Sequence, residues 1–511
     1  MKKILNYLRK FLSSRIFVLV IIVVLQLLLL FFGLARARSI PEIDTLLNIF
    51  DILLIIRVAN RDANTSYKLI WAIMIYAIPI IGGAIYLLFA ERRVPKSLRT
   101  EITRSLVKSE GLLKQRLIYR DNLTDEDMRQ QFDFISNYAS YPYYQNSSAK
   151  YFDTGSSAFE DMINKIRKAK KFIFLEYFIV KDGYMLRMLV SELLKKVKEG
   201  VEVYFMYDDG GSITSVPDEF KKYLNENGIH CTEFSKVSAY LSLLSRSNNR
   251  NHRKLCVIDN KYAYIGGFNI GDEYIDKKER FGKWKDCGIR IEGEAVDNVT
   301  IMFIQFYNAS VDHALNYRNY LVRHKNIESD SFILPYSSSP TDDDNIARTS
   351  HMNMITHAKK YLYISTPYLI LDHDMTTALI TARKNGVEVI INVPHIPDKK
   401  SVFMVTRSNY DILIKNGVRV FEYTPGFMHS KNIIVDDKIA IVGSINMDYR
   451  SYYLNYECGV LIGNDKCIKD IKKDYINCLK VSHEITIDDV NNVNIFVRLA
   501  RALMKLISPL F

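Results

Sequence analysis

The chain has 511 residues, with 69 Lys and Arg against 57 Asp and Glu and a formal net charge of +12. This length excludes one simple core and predicts two soluble domains with appended segments. A basic balance fits either nucleic acid or an anionic membrane surface. The apolar segments near the N-terminus favour the membrane. The six cysteines form no C-x-x-C pair, which argues against a disulfide framework and for reduced, buried thiols in a cytosol-facing domain.

Two long apolar runs predict a membrane anchor in residues 1–98. The first, about 16–34, follows a basic start without acidic residues, which favours an uncleaved spanning helix over a signal peptide. The second, about 69–89, contains Pro79 and Gly82-Gly83, which predict a kink that spanning helices tolerate. We therefore expect a hairpin of two transmembrane helices.

The charges that flank this hairpin predict its orientation. Both outer flanks are basic, so both chain ends and the catalytic part are expected in the cytoplasm, with the anchor a multi-pass element of a bacterial cell membrane. Residues 43–56 between the runs are apolar but short, and they contain Asn48 and Asp51. We interpret them as an interfacial or re-entrant helix. The sequence leaves open that they span, which would place the catalytic part outside.

The soluble part is an internal repeat that follows a connector at 99–150. Ala169 to Phe178 aligns with Ala358 to Tyr368. A Gly-Val-Glu-Val stretch and an Asn-Gly helix end follow in both copies. Each copy predicts strand, helix, strand, helix, strand, strand, which is typical of an α/β lobe whose sheet is covered by helices. We expect a first lobe at 151–330 and a second at 331–490.

The last residues, 491–511, predict a basic amphipathic helix. Arg498, Arg501 and Lys505 recur at i, i+3 and i+7 among apolar residues. Such a helix can lie in a membrane interface. The sequence does not distinguish this from packing on its own domain.

A short motif of His, Lys and Asp occurs once in each repeat, after the second helix, and is called the constellation below. The first copy places His252, Lys254 and Asp259 in the pattern H-x-K-x-x-x-x-D. Residues two apart share one face of a strand, so His252 and Lys254 are expected side by side. A Lys can neutralise a phosphoryl oxygen, and a His can attack phosphorus or transfer a proton.

The second copy repeats this pattern with His429, Lys431 and Asp436. Two such strands meeting would bring two His and two Lys around one phosphate. The lysines would supply the electrostatic stabilisation, so we expect no metal and no cofactor. Catalysis would then require both copies.

These residues resemble the signature of the phospholipase D superfamily, and a longer match resembles bacterial cardiolipin synthases. The longer match includes Asn269-Ile270-Gly271-Asp272-Glu273-Tyr274, Trp284-Lys285-Asp286, Asn446-Met447-Asp448-Tyr449-Arg450-Ser451 and Asn455-Tyr456-Glu457. It runs over nearly the whole chain. The resemblance implies two pseudo-symmetric lobes that face each other with the active site between them.

The resemblance also implies a reaction and roles for residues. One His would attack the phosphorus of phosphatidylglycerol, and the other would protonate the departing glycerol and then activate a second phosphatidylglycerol. The family weakly favours His252 as the nucleophile. Asn269 and Asn446 would hold phosphoryl oxygens together with the lysines.

The roles of the acidic residues remain less defined by sequence. Asp259 and Asp436 are expected to orient the constellation, with a turn-capping role as the alternative. Glu176 and Glu457 are either partners of an active-site His or ordinary buried polar residues.

The catalytic constellation alone fits other activities. A phospholipase D hydrolase shares every catalytic residue, and a transferase of the phosphatidylserine synthase type would use a nucleotide-activated lipid. A nuclease of the superfamily is disfavoured by the two copies and two spans, so nucleic acid is not an expected partner. A catalytically inactive scaffold is disfavoured by the intact His and Lys. Other donors or acceptors, the ratio of hydrolysis to transfer and the oligomeric state stay open.

Overall fold

The structure is a computed structural model. It describes residues 41–61, 63–78, 81–90, 94–217, 219–235 and 249–510. These residues fall into two compact units. One contains the described residues before 96, and the other contains 96–235 and 249–509.

The first unit is helical. Its helices are α1 Pro41–Ala59, α2 Thr65–Ala77 and α3 Ile81–Ile85, which runs into a π-helical turn at Tyr86–Ala90. Trp71 packs edge-on against Tyr86 with ring centroids 5.4 Å apart, and the Tyr67 hydroxyl donates to the Ala90 carbonyl at 2.7 Å. These contacts hold α2 against the π-helical turn.

The two predicted spans relate differently to these helices. Residues 16–34 lie outside the described residues, and 69–89 cover most of α2, α3 and the π-helical turn. Within the described stretches, none of the helices combines the length and the apolar character that crossing a bilayer requires.

The second unit contains all the strands that the structure describes. Its strands are β1 Ser147–Phe152, β2 Phe172–Tyr177, β3 Glu202–Asp208, β4 Ile229–Phe234, β5 Leu255–Ile258, β6 Tyr262–Gly266, β7 Lys283–Lys285, β8 Gly288–Gly293, β9 Phe332–Ser338, β10 Tyr361–Ser365, β11 Glu388–Pro394, β12 Arg419–Tyr423, β13 Gly426–Met428, β14 Asn432–Val435, β15 Ile439–Gly443, β16 Glu457–Gly463 and β17 Ser482–Glu484.

Helices alternate with these strands. They are α4 Lys96–Ser109, α5 Leu117–Asn122, α6 Glu126–Ala139, α7 Gly155–Ile166, α8 Tyr184–Lys198, α9 Asp209–Ser212, α10 Phe220–Glu226, α11 Val296–Asn308, α12 Ile346–Thr356, α13 His373–Lys384, α14 Lys400–Ser408, α15 Tyr410–Lys415, α16 Tyr449–Tyr453, α17 Cys467–Lys480, α18 Ile487–Asn491 and α19 Ile495–Ile507, with 3₁₀ turns at Asp272–Ile275, Tyr317–Tyr320 and Ser508–Leu510.

Two mixed sheets form two lobes with matching topology. The first sheet has the order β4-β3-β2-β5-β6-β8-β1, and the second has β12-β11-β10-β14-β15-β16-β9 with β17 added beyond β12. The central strands β2 and β10 are buried along their whole length, as the continuous apolar runs at their positions require. The predicted α/β fold with two repeated lobes is therefore confirmed.

The lobes pack directly on each other. Strands β6 and β8 of the first sheet contact β15 and β16 of the second. The short strands β7 and β13, one from each lobe, pair in parallel as a separate ribbon. These contacts and the ribbon fix the relative position of the two lobes.

Asp259 and Asp436 lie in the hairpin turns that follow β5 and β14. The Asp259 carboxylate accepts hydrogen bonds from the backbone N–H groups of Lys170, Lys171 and Phe172 at 2.7–3.0 Å. Asp436 accepts the equivalent three from residues 359–361, each at 2.8 Å. Both residues have positive φ, 54° and 55°, a conformation that Asp tolerates well.

None of these hydrogen bonds reaches a histidine, so they do not support the expectation that the two carboxylates orient the constellation. Each is located at the far end of its four-residue strand and binds the backbone that starts the neighbouring strand. The alternative, a turn-capping role, agrees with these contacts. The contacts of Asp259 and Asp436 are structural, because each carboxylate links a hairpin turn to the backbone at the start of the central strand.

We expect Asp259→Ala to lower the free energy of unfolding by roughly 2–4 kcal/mol, because three backbone donors lose a charged acceptor. Denaturant unfolding of the detergent-solubilised protein measures this. Asp330→Ala, which removes an exposed carboxylate, is the control. An unchanged stability with lost activity would return Asp259 to the catalytic groups.

Candidate active site

The two histidines meet at a cleft between the lobes, and the lysine of each pair is buried next to it. His252 lies three residues before β5, and His429 lies directly after β13. Both histidines line one cavity of about 580 Å³. The sequence prediction that the two copies converge agrees with this placement.

Parallel pairing between the lobes brings each His next to an acidic residue. Asn251 pairs with Tyr456 in a parallel bridge, so the next residues along, His252 and Glu457, lie side by side. In the β7–β13 ribbon Met428 pairs with Lys285. His429 and Asp286 are the next residues there. The same register therefore creates both His-carboxylate pairs.

The side chains complete these pairs with hydrogen bonds. The Nδ1 of His252 is 2.9 and 3.0 Å from the two carboxylate oxygens of Glu457. The Nδ1 of His429 is 2.6 Å from Oδ2 of Asp286. In each pair the carboxylate belongs to the lobe opposite the His. A proton on Nδ1 leaves the Nε2 lone pair available for chemistry.

Further contacts hold both carboxylates in place. Glu457 also accepts from the hydroxyls of Ser444 at 2.5 Å and Ser451 at 2.8 Å. Asp286 accepts from the backbone N–H of Cys287 at 2.9 Å. Burial opposes ionisation of Asp286, but its interaction with His429, the charge of Lys431 and the Cys287 N–H hold its pKa below the usual range. Asp286 is therefore ionised at neutral pH.

Asp286 is the site residue that our sequence reasoning missed. It appeared only as part of the Trp284-Lys285-Asp286 match. A signal was available, because Asp286-Cys287-Gly288 and Glu457-Cys458-Gly459 occupy the same place in the two repeats. Glu457, for which a His partnership was one of two alternatives, does contact His252.

Glu176 makes different contacts. It is fully buried and accepts from the Asn251 side-chain amide at 2.6 Å and from the Arg253 guanidinium at 2.7 Å. The Arg253 guanidinium also stacks on Phe306. Glu176 therefore braces the two neighbours of His252 and does not contact the imidazole.

The lysines lie beneath the histidines. Lys254 Nζ donates to the carbonyl of His252, and Lys431 Nζ donates to the carbonyl of His429. Burial lowers the pKa of Lys254 to about 7 and that of Lys431 to about 8. The positive charge of Lys431 contributes to the lowered pKa of Lys254, so the empty site resists full protonation.

Burial has the same effect on the histidines. It lowers the pKa of His252 to about 4 and that of His429 to about 3, and the lysine charges contribute to both shifts. His429 is surrounded by the rings of Tyr274, Trp284 and Phe427, whereas Phe178 packs against His252. Both imidazoles are therefore neutral in the empty cleft at pH 7.

The two predicted phosphate-binding amides lie on the cavity wall. Asn269 accepts from the backbone N–H of Ile179 at 3.0 Å and donates to the Tyr274 hydroxyl at 2.9 Å. Asn446 lies on the opposite wall, where its backbone N–H donates to Ser451. Arg250 and Arg450 also line the cavity. The wall therefore carries cationic groups from both lobes.

Two protein-family models match parts of the chain. A family model described as "Cardiolipin synthase, PLD-like domain" matches residues 162–281 and 352–479, one stretch in each lobe. A second, described as "Phospholipase_D-nuclease N-terminal", matches residues 49–91.

Relatives extend over nearly the whole chain. Cardiolipin synthase 2 of Staphylococcus epidermidis is 33% identical, over 91% of this chain and 96% of its own. Cardiolipin synthase of Staphylococcus aureus is 32% identical, over 91% and 95%. An uncharacterized protein of Streptococcus mutans is 36% identical, over 89% and 99%.

A solved structure shares the fold. Phosphatidylserine synthase of Haemophilus influenzae superposes with a TM-score of 0.57 at 15% identity, covering 75% of this chain and 98% of that one. The shared fold is that of the two-lobed unit.

We expect sulfate to bind in the cleft at least tenfold more weakly at pH 9 than at pH 6. Sulfate keeps its charge over this range, whereas Lys254 and Lys431 lose their protons as the pH rises through about 7 and about 8. Isothermal titration calorimetry measures the affinity. Lys254→Met should bind weakly at pH 6 and show a flatter profile. A pH-independent affinity in the unmodified protein would contradict the lysine assignment.

We expect Glu457→Gln to lower kcat by roughly 10²–10⁴-fold with little change in KM, because the positioning carboxylate that stabilises the imidazolium of His252 is lost. Steady-state kinetics across pH 5–9 measure both constants. Glu226→Gln, an exposed carboxylate on α10, is the matched control. A kcat equal to that of the control would exclude the positioning role.

Proposed function

Because the chain belongs to the cardiolipin synthases of the phospholipase D superfamily, we propose that it joins two phosphatidylglycerol molecules into cardiolipin and glycerol. The observation that carries this proposal is the meeting of two histidines in one cleft, each held by a carboxylate of the other lobe and each with a buried lysine at its backbone carbonyl. Two imidazoles supply a nucleophile and a proton carrier for one phosphorus.

The first half-reaction breaks the bond between phosphorus and glycerol. Nε2 of one His attacks the phosphorus of the donor lipid, which forms a phosphatidyl-histidine. The other His gives its proton to the departing glycerol oxygen. Lys254 and Lys431, each bonded to the carbonyl of its neighbouring His, would stabilise the negative charge that accumulates on the phosphoryl oxygens.

The second half-reaction reverses these roles with a new alcohol. The proton-carrying His takes the proton from a hydroxyl of a second phosphatidylglycerol, and the oxygen attacks the phosphorus. The N–P bond breaks, which restores the first His and releases cardiolipin. The resemblance to the family favours His252 as the nucleophile.

An anionic substrate would prepare the site for this chemistry. In the empty cleft the low pKa of both histidines leaves no proton to donate at pH 7. A bound phosphodiester adds negative charge that raises the pKa of every nearby base. Substrate binding therefore charges the lysines and allows one His to hold the proton that the leaving glycerol needs.

The membrane supplies both the donor and the acceptor. We propose that the N-terminal region anchors the protein as a multi-pass element of the bacterial cell membrane, with spans at about 16–34 and 69–89 and the catalytic lobes on the cytoplasmic side. Tethering at the bilayer raises the effective concentration of lipid alcohol over that in solution. Transfer is then favoured over hydrolysis.

The test is product analysis with the full chain in phosphatidylglycerol vesicles, without nucleotide or metal. We expect cardiolipin and glycerol in equal amounts, and a loss of at least about 10³-fold in His429→Ala, because both half-reactions need both imidazoles. His313→Ala, which removes an exposed imidazole, should retain activity.

Other products would identify the alternatives. Phosphatidic acid in place of cardiolipin would make the protein a hydrolase. Activity only with a nucleotide-activated lipid and serine would make it a phosphatidylserine-type transferase. Mass spectrometry of quenched protein would locate the phosphatidyl group on His252 or His429.

A further inference from the structure

Helix α19 has a row of apolar side chains on its exposed face. Ile495, Leu499 and Leu503 are 69%, 59% and 56% exposed, and Phe496 and Leu506 extend the row. The helix has no buried residue. An ordinary surface helix turns such a row towards the core, so this orientation requires another explanation.

The helix is nevertheless well formed and anchored. The Asn494 side chain caps its start by accepting from the N–H groups of Phe496 at 2.7 Å and Val497 at 3.2 Å. On the side away from the row, Met504 packs against a buried cluster that contains Val405 and Tyr449. Contacts with α14 along this side fix the helix with its apolar row outward.

A basic row accompanies the apolar one. Arg498, Arg501 and Lys505 lie at i, i+3 and i+7, and the helix contains no acidic residue. A helix of this kind lies in the plane of a bilayer, with its apolar row among the acyl chains and its cations against anionic headgroups. Pairing of α19 with the same helix of a second copy is disfavoured, because both helices would carry positive charge.

We propose that α19 is an interfacial helix that binds the anionic membrane surface and places the catalytic cleft against it. Tyr368 lines the cleft and packs on the same cluster as Met504. Helix α14, on which α19 rests, begins directly after the cleft residues Asp398 and Lys399. Insertion of α19 therefore brings the wall of the second lobe to the headgroup layer.

Membrane contact is tested independently of the proposed function. An environment-sensitive fluorophore is attached to the full chain at Leu499→Cys. The control carries the same label at Lys473→Cys, an exposed position on α17. Labelling is selective because the native thiols are all buried. In phosphatidylglycerol vesicles with spin-labelled acyl chains, we expect the label at 499 to shift to the blue and to be quenched at least threefold more than the label at 473. Equal quenching at the two positions would overturn the proposal.

The test of an effect on catalysis rests on the proposed function. It compares two double variants that each add two negative charges. We expect Leu499→Glu with Leu503→Glu to lower turnover of phosphatidylglycerol in vesicles by at least fivefold and to leave turnover of a short-chain, monomeric phosphatidylglycerol within twofold. Thr377→Glu with Thr381→Glu adds the same charges at the same spacing on the exposed side of α13 and should change neither.

Each remaining outcome is decisive. Equal losses on vesicles and monomers would indicate damage to the fold and would overturn the positioning role of α19, as would unchanged turnover in vesicles. If the unmodified protein converts neither lipid, the proposed function fails, while the quenching measurement still decides whether α19 enters the bilayer.

Discussion

The arrangement depends on one constraint: each lobe supplies the carboxylate that holds the other lobe's histidine. Parallel backbone pairing across the lobes sets the register, and the Nδ1 hydrogen bonds at 2.6–3.0 Å follow from it. Neither imidazole can keep its orientation if the lobes separate. The extensive contact between the two sheets is therefore a requirement of the chemistry as well as of stability.

Burial of two histidines in one cleft, with a lysine buried next to each, explains the electrostatics of the site. Two lysines and two histidines are removed from water, and two carboxylates cannot fully compensate them. The result is a set of bases whose pKa values lie below their usual ranges. Such a site is complementary to an anion, because a bound phosphodiester supplies the negative charge that the protein lacks. Selectivity for a phosphate ester and readiness for proton transfer then have the same physical origin.

Sequence reasoning succeeded where a pattern is local. The repeat and the order of strands and helices along each copy followed from spacing and apolar runs, whereas the convergence of His252 with His429 was implied by the family resemblance. It was less successful where the contact is distant in sequence. Asp286 and His429 are separated by 143 residues, and only the pairing register between lobes brings them together. The hydrogen bonds of Asp259 to residues 170–172 are likewise distant in sequence and could not be read from its motif.

The crossed pairing also bears on how such a chain could arise. A chain with a single lobe would hold its own acid out of reach of its own imidazole, so only two copies related by a twofold axis could complete the pairs. Fusion of the copies into one gene removes the need for assembly and frees the halves to diverge. The Glu on one side, the Asp on the other and the unequal aromatic surroundings of the two rings are differences that a symmetric pair would lack. A symmetric ancestor would have had interchangeable histidines, whereas this chain can assign them different work.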